Sequence, residues 1–139
     1  IVMRLVGSEM CIRDRIISSY KSAYNSIWTL FGCGGNRDKS KRNKMFKIAK
    51  KYSQKIFITS DNSRFENFNS IVKDILGEDR FDNLEVIKDR DSAIKIAIDT
   101  LPKNVPLLIL GRGHEETLSL GKNIINHSDI KAVQRYISL

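Results

Sequence analysis

From residue 16 onward, short runs rich in β-branched and aromatic residues alternate with stretches whose apolar side chains recur at helical spacing. That alternation is the pattern of repeated βαβ units, so it predicts an α/β domain with a mostly parallel sheet and flanking helices. Residues 27–33 (IWTLFGC) and 55–59 (KIFIT) read as buried strands. Between them Met45, Ile48, Ala49 and Tyr52 fall on one helical face, with Lys44, Lys47, Lys50 and Lys51 mostly on the solvent side. A second helix puts Phe68, Ile71, Val72, Ile75 and Leu76 together and is capped by Gly77. After a strand over 84–88, Asp91 or Ser92 caps a helix that buries Ile94, Ala97, Ile98 and Leu101 and ends at Pro102. The most apolar run, 105–110 (VPLLIL), reads as a central strand covered on both faces, with Pro106 near its start, where no ladder donor is needed. Residues 117–126 offer two short β pieces around Gly121-Lys122, and Asp129 opens a last helix with Ile130, Val133 and Ile137 on one side.

A chain of 139 residues fits one domain. Lys and Arg number 24 against 16 Asp and Glu, a formal net charge of +8, and 41% of residues are hydrophobic, which suits a globular rather than a disordered chain. No apolar run approaches the ~20 residues that cross a bilayer, and no signal peptide is visible, so a cytoplasmic protein is expected. Cys11 and Cys33 are too few for a disulfide framework or a zinc cluster. The positive balance suits nucleic acid, a membrane surface or small anions equally. Residues 1–15 (IVMRLVGSEMCIRDR) show neither helical period nor strand alternation and are set aside as a non-native segment. Within them GSEMCIRDR resembles translated sequencing-adapter read-through, in which case the natural N-terminal part is missing; an ordinary frayed terminus is the other reading.

Three stretches break the pattern with glycine and charge, each directly after a predicted strand: 32–41 (GCGGNRDKSK), 60–66 (SDNSRFE) and 111–115 (GRGHE). The carboxyl ends of parallel strands share one edge, where ligands bind, so the three stretches should be neighbours. Glycine lets main-chain N–H groups approach a ligand, and Arg37, Arg64 and Arg112 supply fork-shaped donors for carboxylate or phosphate. Asp38, Asp61 and Glu115 add the opposite sign, and a pocket with both suits a zwitterion such as an amino acid. Arg112 and the lysines of 39–51 read equally as solvated charge. His114 and His127 read as structural hydrogen-bonding residues, and Cys33 as a small buried side chain. A zincin-like string beginning at His114-Glu115 fails at Leu118, and GCGG is not a dinucleotide fingerprint because Arg37 takes the third glycine position. Gly121-Lys122 is followed by Asn123 and lacks the upstream glycine of a Walker A loop. No catalytic residue, metal ligand or ATP site is identified.

These loops, in this order and spacing, resemble the C-terminal domain of the Mur ligases, in the branch that adds the third residue of the peptidoglycan precursor. The family carries GCGGDRDKGKR-like, DNPR-like and GKGHE segments where this chain has GCGGNRDKSKR (32–42), DNSR (61–64) and GRGHE (111–115). The resemblance covers nearly all of residues 16–139 and implies a Rossmann-like α/β unit. It implies a cytoplasmic bacterial ligase that uses ATP and Mg²⁺ to join meso-diaminopimelate to UDP-N-acetylmuramoyl-L-alanyl-D-glutamate through an acyl phosphate. This chain would hold the amine donor against the enzyme's own central ATPase domain. Carried over residue by residue, Arg37, Asn62 and Arg64 grip the distal carboxylate of diaminopimelate, while the Gly111 carbonyl and Glu115 take its distal ammonium. Asp38, Lys39, Asp61, Arg112 and His114 support them. Lysine has no second carboxylate and would leave the arginine fork unpaired; a lysine-adding ligase is the first alternative and a basic nucleic-acid-binding module the second. Neither nucleic acid nor membrane is the expected partner. Ser63 stands where the family has Pro, Arg112 where Lys is common, Asn36 for Asp and Ser40 for Gly. The family's phosphate loop, metal ligands and carbamylated lysine belong to the preceding central domain, and the UDP-sugar site to the domain before that, so this chain alone is expected to be inactive.

Overall fold

The structure, a computed structural model, describes residues 3–6, 10–35, 39–112 and 115–137. In chain order the elements are β1 (Met3–Val6), α1 (Met10–Ala23), β2 (Trp28–Phe31), α2 (Ser40–Tyr52), β3 (Lys55–Ile58), α3 (Phe68–Leu76), β4 (Leu84–Val86) and α4 (Arg90–Thr100). They continue with β5 (Leu107–Leu110), β6 (Thr117–Leu120), β7 (Asn123–Asn126) and α5 (Asp129–Ile137). Strands β1-β5-β2-β3-β4 form one sheet in that spatial order, every neighbouring pair parallel, and β6 and β7 form a separate antiparallel hairpin. The expected α/β class with a mostly parallel sheet is what the chain adopts.

The pleat divides the core. Phe31, Ile56, Ile58, Leu108 and Leu110 face one way and pack with Ile17 of α1, Met45, Phe46 and Ala49 of α2, and Ile71 and Ile75 of α3. Trp28, Leu30, Phe57, Leu107 and Ile109 face the other way, onto Ala93, Ile94, Ala97 and Ile98 of α4 and Ala132 of α5. Because β2, β3 and β5 are covered on both faces, their sequences read as continuous apolar runs. Each fully buried side chain of this kind contributes about 1.5–3 kcal/mol, which fixes the register.

Several local expectations change. Residues 3–6, set aside in the sequence, form the strand beside β5, with Met3 opposite Leu107 and Val6 opposite Leu110. Helix α1 starts at Met10, runs past position 15, and had no counterpart in the sequence reading. The cap of α4 is Asp89, not Asp91 or Ser92: its carboxylate accepts from the Ser92 N–H at 3.1 Å and the Ser92 hydroxyl at 2.6 Å. Helix α5 buries Asp129 and Ala132, and leaves Ile137 48% exposed, so its inward face is rotated from the Ile130–Val133–Ile137 stripe. Pro106 precedes β5 and gives only its carbonyl, which accepts from the Trp28 N–H at 3.0 Å. Gly77 caps α3 at φ +55°, as the apolar pattern required.

What positions a site is the change of direction in the strand order. From β2 the chain steps outward to β3 and β4, then crosses back to place β5 on the other side of β2. The carboxyl ends of β2, β3 and β5 therefore open around a topological switch point.

Candidate functional site

The loops after β2 and β3 meet backbone to backbone. A Cβ on Gly32 would lie 2.3 Å from the Thr59 carbonyl oxygen, and one on Gly35 would lie 1.8 Å from that of Ser63, so neither position has room for a side chain. In that space the Gly35 N–H donates to the Asn62 carbonyl at 2.7 Å. The neighbouring Gly34 carbonyl accepts from Arg42 Nη2 at 2.9 Å.

The loop after β3 is also tied to β6. The Arg64 N–H donates to the Ser119 carbonyl at 3.1 Å, the Gly121 N–H donates back to the Arg64 carbonyl, and Arg64 and Leu120 form a parallel bridge. The Ser119 N–H donates to Asn62 Oδ1 at 2.9 Å. These bonds hold Arg64 at φ +52°, a conformation that non-glycine residues seldom adopt. The half-buried Arg64 side chain donates through Nη1 to the carbonyls of Gly35 at 2.8 Å and Asn62 at 3.1 Å. Its Nη2 and Nε have no hydrogen-bond partner among the described residues. Asn62 turns its amide Nδ2 toward Glu115 Oε2 at 3.3 Å. Opposite charges thus stand on two sides of one asparagine.

The loop after β5 is built on charge. Gly111 sits at φ +110°, and Arg112 follows, 2% exposed. The reading of Arg112 as solvated charge is therefore wrong. Its Nη2 donates to the carbonyls of Thr117 at 2.7 Å and His127 at 3.0 Å, while Nη1 lies 3.4 Å from Glu115 and 3.7 Å from Asp61. Asp61 accepts from the Asn62 N–H at 2.7 Å. His127 places Nε2 2.7 Å from Asp129, in line with its expected structural role. Lys39 stands exposed at the N-terminal boundary of α2. Cys33 is half-buried against the core. Arg37, Asp38 and His114 lie outside the described residues.

Three buried charges went unread in the sequence. Arg42 grips both oxygens of Glu66 at 3.0 Å and Asp74 at 2.9 Å. Burial opposes its charge, but Glu66 and then Asp74 more than offset this, and its pKa is raised. Arg90 makes a two-point pair with Asp129 at 2.8 Å on each arm and donates to the carbonyls of Ser60 and Leu110 at 3.1 Å, joining the ends of β3 and β5. Burial alone would raise the Asp129 carboxyl, yet the bonds from His127 and Arg90 hold it well below the usual carboxylate range. Two signals were available. Arg42 falls on the helical stripe of Met45 and Ala49, and Arg90 occupies a helix N-terminus, where a cation opposes the dipole and needs another reason to be there.

The family model for the Mur ligase, glutamate ligase domain matches residues 14–113. UDP-N-acetylmuramoyl-L-alanyl-D-glutamate–2,6-diaminopimelate ligase of Blochmanniella floridana is 44% identical over 104 residues, 74% of this chain and 21% of the relative. The ligase of that name from Helicobacter pylori strain J99 is 42% identical over 124 residues, 88% of this chain and 27% of its own length. This chain therefore spans only about a fifth to a quarter of such relatives. A solved structure of a ligase of the same name superposes with a TM-score of 0.91 at 26% identity, covering 98% of this chain and 29% of that one. A domain from a Haemophilus ducreyi protein, at 9% identity and a TM-score of 0.58, shares the fold alone.

Proposed function

The chain belongs to the Mur ligase family, and from that premise we propose that residues 16–139 are the amino-acid-binding domain of a cytoplasmic ATP-dependent ligase adding meso-diaminopimelate to UDP-N-acetylmuramoyl-L-alanyl-D-glutamate. The observation that carries this reading is the double role of Asn62. Its carbonyl takes Arg64 and its side-chain amide takes Glu115, so a guanidinium and a carboxylate flank one point at the switch edge of the sheet. An α-amino-acid head, with its carboxylate and ammonium on one carbon, presents those two charges in the opposite sense. In this reading Arg64, Asn62 and Arg37 take the distal carboxylate, and Glu115 with the Gly111 carbonyl takes the distal ammonium. Asp61 holds the Asn62 N–H from behind, Arg112 lies behind Glu115 at 3.4 Å, and Asp38, Lys39 and His114 complete the loops. The Nη2 and Nε of Arg64, which no described residue claims, suit a fork-to-fork carboxylate contact. Lysine offers no carboxylate to that fork.

The contribution to catalysis is positional. Clasping the far end of the amino acid aims its near amine at an activated carboxyl, and well-oriented reactants can save about 7–11 kcal/mol of barrier. In this reading ATP and Mg²⁺ are held mainly outside this chain: among the described residues no group of three or more His, Cys, Asp or Glu could hold a metal ion, and no phosphate-binding glycine-lysine loop occurs in the sequence. They would be bound by a central domain of the complete enzyme, where ATP supplies the activation of the carboxyl. No helix among the described residues is long and apolar enough to cross a membrane.

In a complete ligase carrying this domain, Arg64→Ala raises KM for meso-diaminopimelate by about 100-fold, the scale of a lost two-point charge-assisted contact, and leaves KM for ATP unchanged. An unaltered diaminopimelate KM rejects the proposal.

A further inference from the structure

Behind the clasp runs a chain of alternating charge, buried except at its outer end Glu115: Arg90, Asp129, Arg112, and then the two acids Asp61 and Glu115. Arg112 is the crowded member. Its Nη2 is bound by two carbonyls, its Nη1 faces Glu115 at 3.4 Å and Asp61 at 3.7 Å, and its Nε lies 3.9 Å from Asp129 Oδ1 without a hydrogen bond. Asp129 thus gives Arg112 charge compensation and no hydrogen bond, because both of its oxygens are already taken by Arg90 and His127. Of the three acids around Arg112, Glu115 alone has freedom to move: its side chain is 50% exposed, against 10% for Asp61 and none for Asp129.

We propose that Asp129 is a positioning residue for Glu115: by supplying negative charge behind Arg112, it limits the pull of Arg112 on Glu115 to one long contact at 3.4 Å, so that the half-exposed carboxylate stays available to a ligand ammonium. This rests on the reading of the cleft as a diaminopimelate clasp. Without the Asp129 charge, the buried Arg112 guanidinium has only Asp61 and Glu115 to compensate it, and a buried cation recruits the nearest mobile anion. Glu115 then closes onto Arg112, leaving Asn62 and the place where the ligand ammonium would sit. In the carboxylate half of the clasp, Arg64 makes no ion pair with this chain of charge among the described residues, and Asn62 meets it only through hydrogen bonds to Asp61 and Glu115.

That asymmetry supplies a readout a general loss of structure would not give. Calorimetric titration of the 139-residue chain with meso-diaminopimelate, and with pimelate as the same seven-carbon dicarboxylate lacking both amines, measures the preference for an ammonium-bearing ligand. In Asp129→Asn this preference falls at least about tenfold, the scale of one charge-assisted contact, while pimelate affinity is retained. In Arg112→Gln, which removes the competing guanidinium but keeps a donor for the Thr117 carbonyl, the preference rises; if Asp129→Asn does not fold by circular dichroism, this variant decides alone. Adding Asp129→Asn to Arg112→Gln leaves the preference unchanged if the effect runs through Arg112. A wild-type chain that prefers meso-diaminopimelate, with the preference intact in folded Asp129→Asn or not raised in Arg112→Gln, overturns this inference alone. A wild-type chain that binds neither compound, or binds both equally, overturns the clasp reading and this inference with it.

Discussion

Arg64 and Arg112 are both arginines in short polar loops at the carboxyl edge of one sheet, yet the two loops are held by different forces. The loop after β3 is fixed by main-chain bonds to Gly35, Ser119 and Gly121, and its arginine keeps two nitrogens unclaimed by the described residues. The loop after β5 is fixed through its arginine, which is buried, donates to two carbonyls and stands among three acids. One arginine is held by the fold and free to bind; the other holds the fold. The same residue type near a ligand thus divides into a binding group and a scaffold group, and burial rather than sequence context separates them.

The largest effect expected from this contrast lies in the buried charges. Arg90→Ala leaves Asp129, fully buried, without its two-point partner, and should cost about 3–5 kcal/mol, read as a lower urea midpoint at pH 7. A loss under 1 kcal/mol would mean that water reaches Asp129 and that the loop after β5 is not charge-built. Next comes the backbone contact between the other two loops. Gly35→Ala drives a methyl group into the Ser63 carbonyl, and costs roughly 1–3 kcal/mol together with a weaker response to meso-diaminopimelate. Retained affinity would show that the loops can separate without harm.

Acid titration sharpens the comparison further. Asp129 is held below its unfolded value, so its stabilisation is complete above the ordinary aspartate pKa of about 3.9 and drains away as pH falls toward its folded value. Wild-type stability should therefore drop more steeply than that of Asp129→Asn below about pH 4, measured by thermal melting from pH 6 to 2. Parallel curves would contradict the assignment. Ser63→Pro is the smallest change. The Ser63 N–H makes no hydrogen bond among the described residues, so the substitution should alter stability by no more than about 1 kcal/mol, in the stabilising direction if the ring fits. A large loss would show that serine is required there.

Strands β2 to β5 and most helices were legible because burial writes itself as apolar pattern: VPLLIL and KIFIT hold the doubly covered strands Leu107–Leu110 and Lys55–Ile58. The convergence of Asn62, Arg64 and Glu115 was legible too, since each follows a strand that ends on the same edge. Strand β1 was not, because its four residues gain their place from the edge of β5, and α1 was passed over although Ile17, Tyr20 and Tyr24 recur at helical spacing and pack into the core. The roles of Arg42, Arg90, Asp129 and Arg112 were hidden for a different reason. A charged residue reads as solvent-facing until its partner is known, and these partners lie 24 to 39 positions away for Arg42–Glu66 and Arg90–Asp129. Pairing at that range is set by topology.

The bridge between Arg64 and Leu120 makes the Asn62–Arg64 segment, in effect, an added rung on the β6–β7 hairpin. At Arg64 that rung reads only amide and carbonyl groups, and at Asn62 it reads the side-chain oxygen as well. Position 63 contributes neither main-chain bond of that rung, so the reach of Arg64 does not depend on a Ser63 N–H. Specificity in such a segment drifts only when one of its two anchoring side chains is replaced.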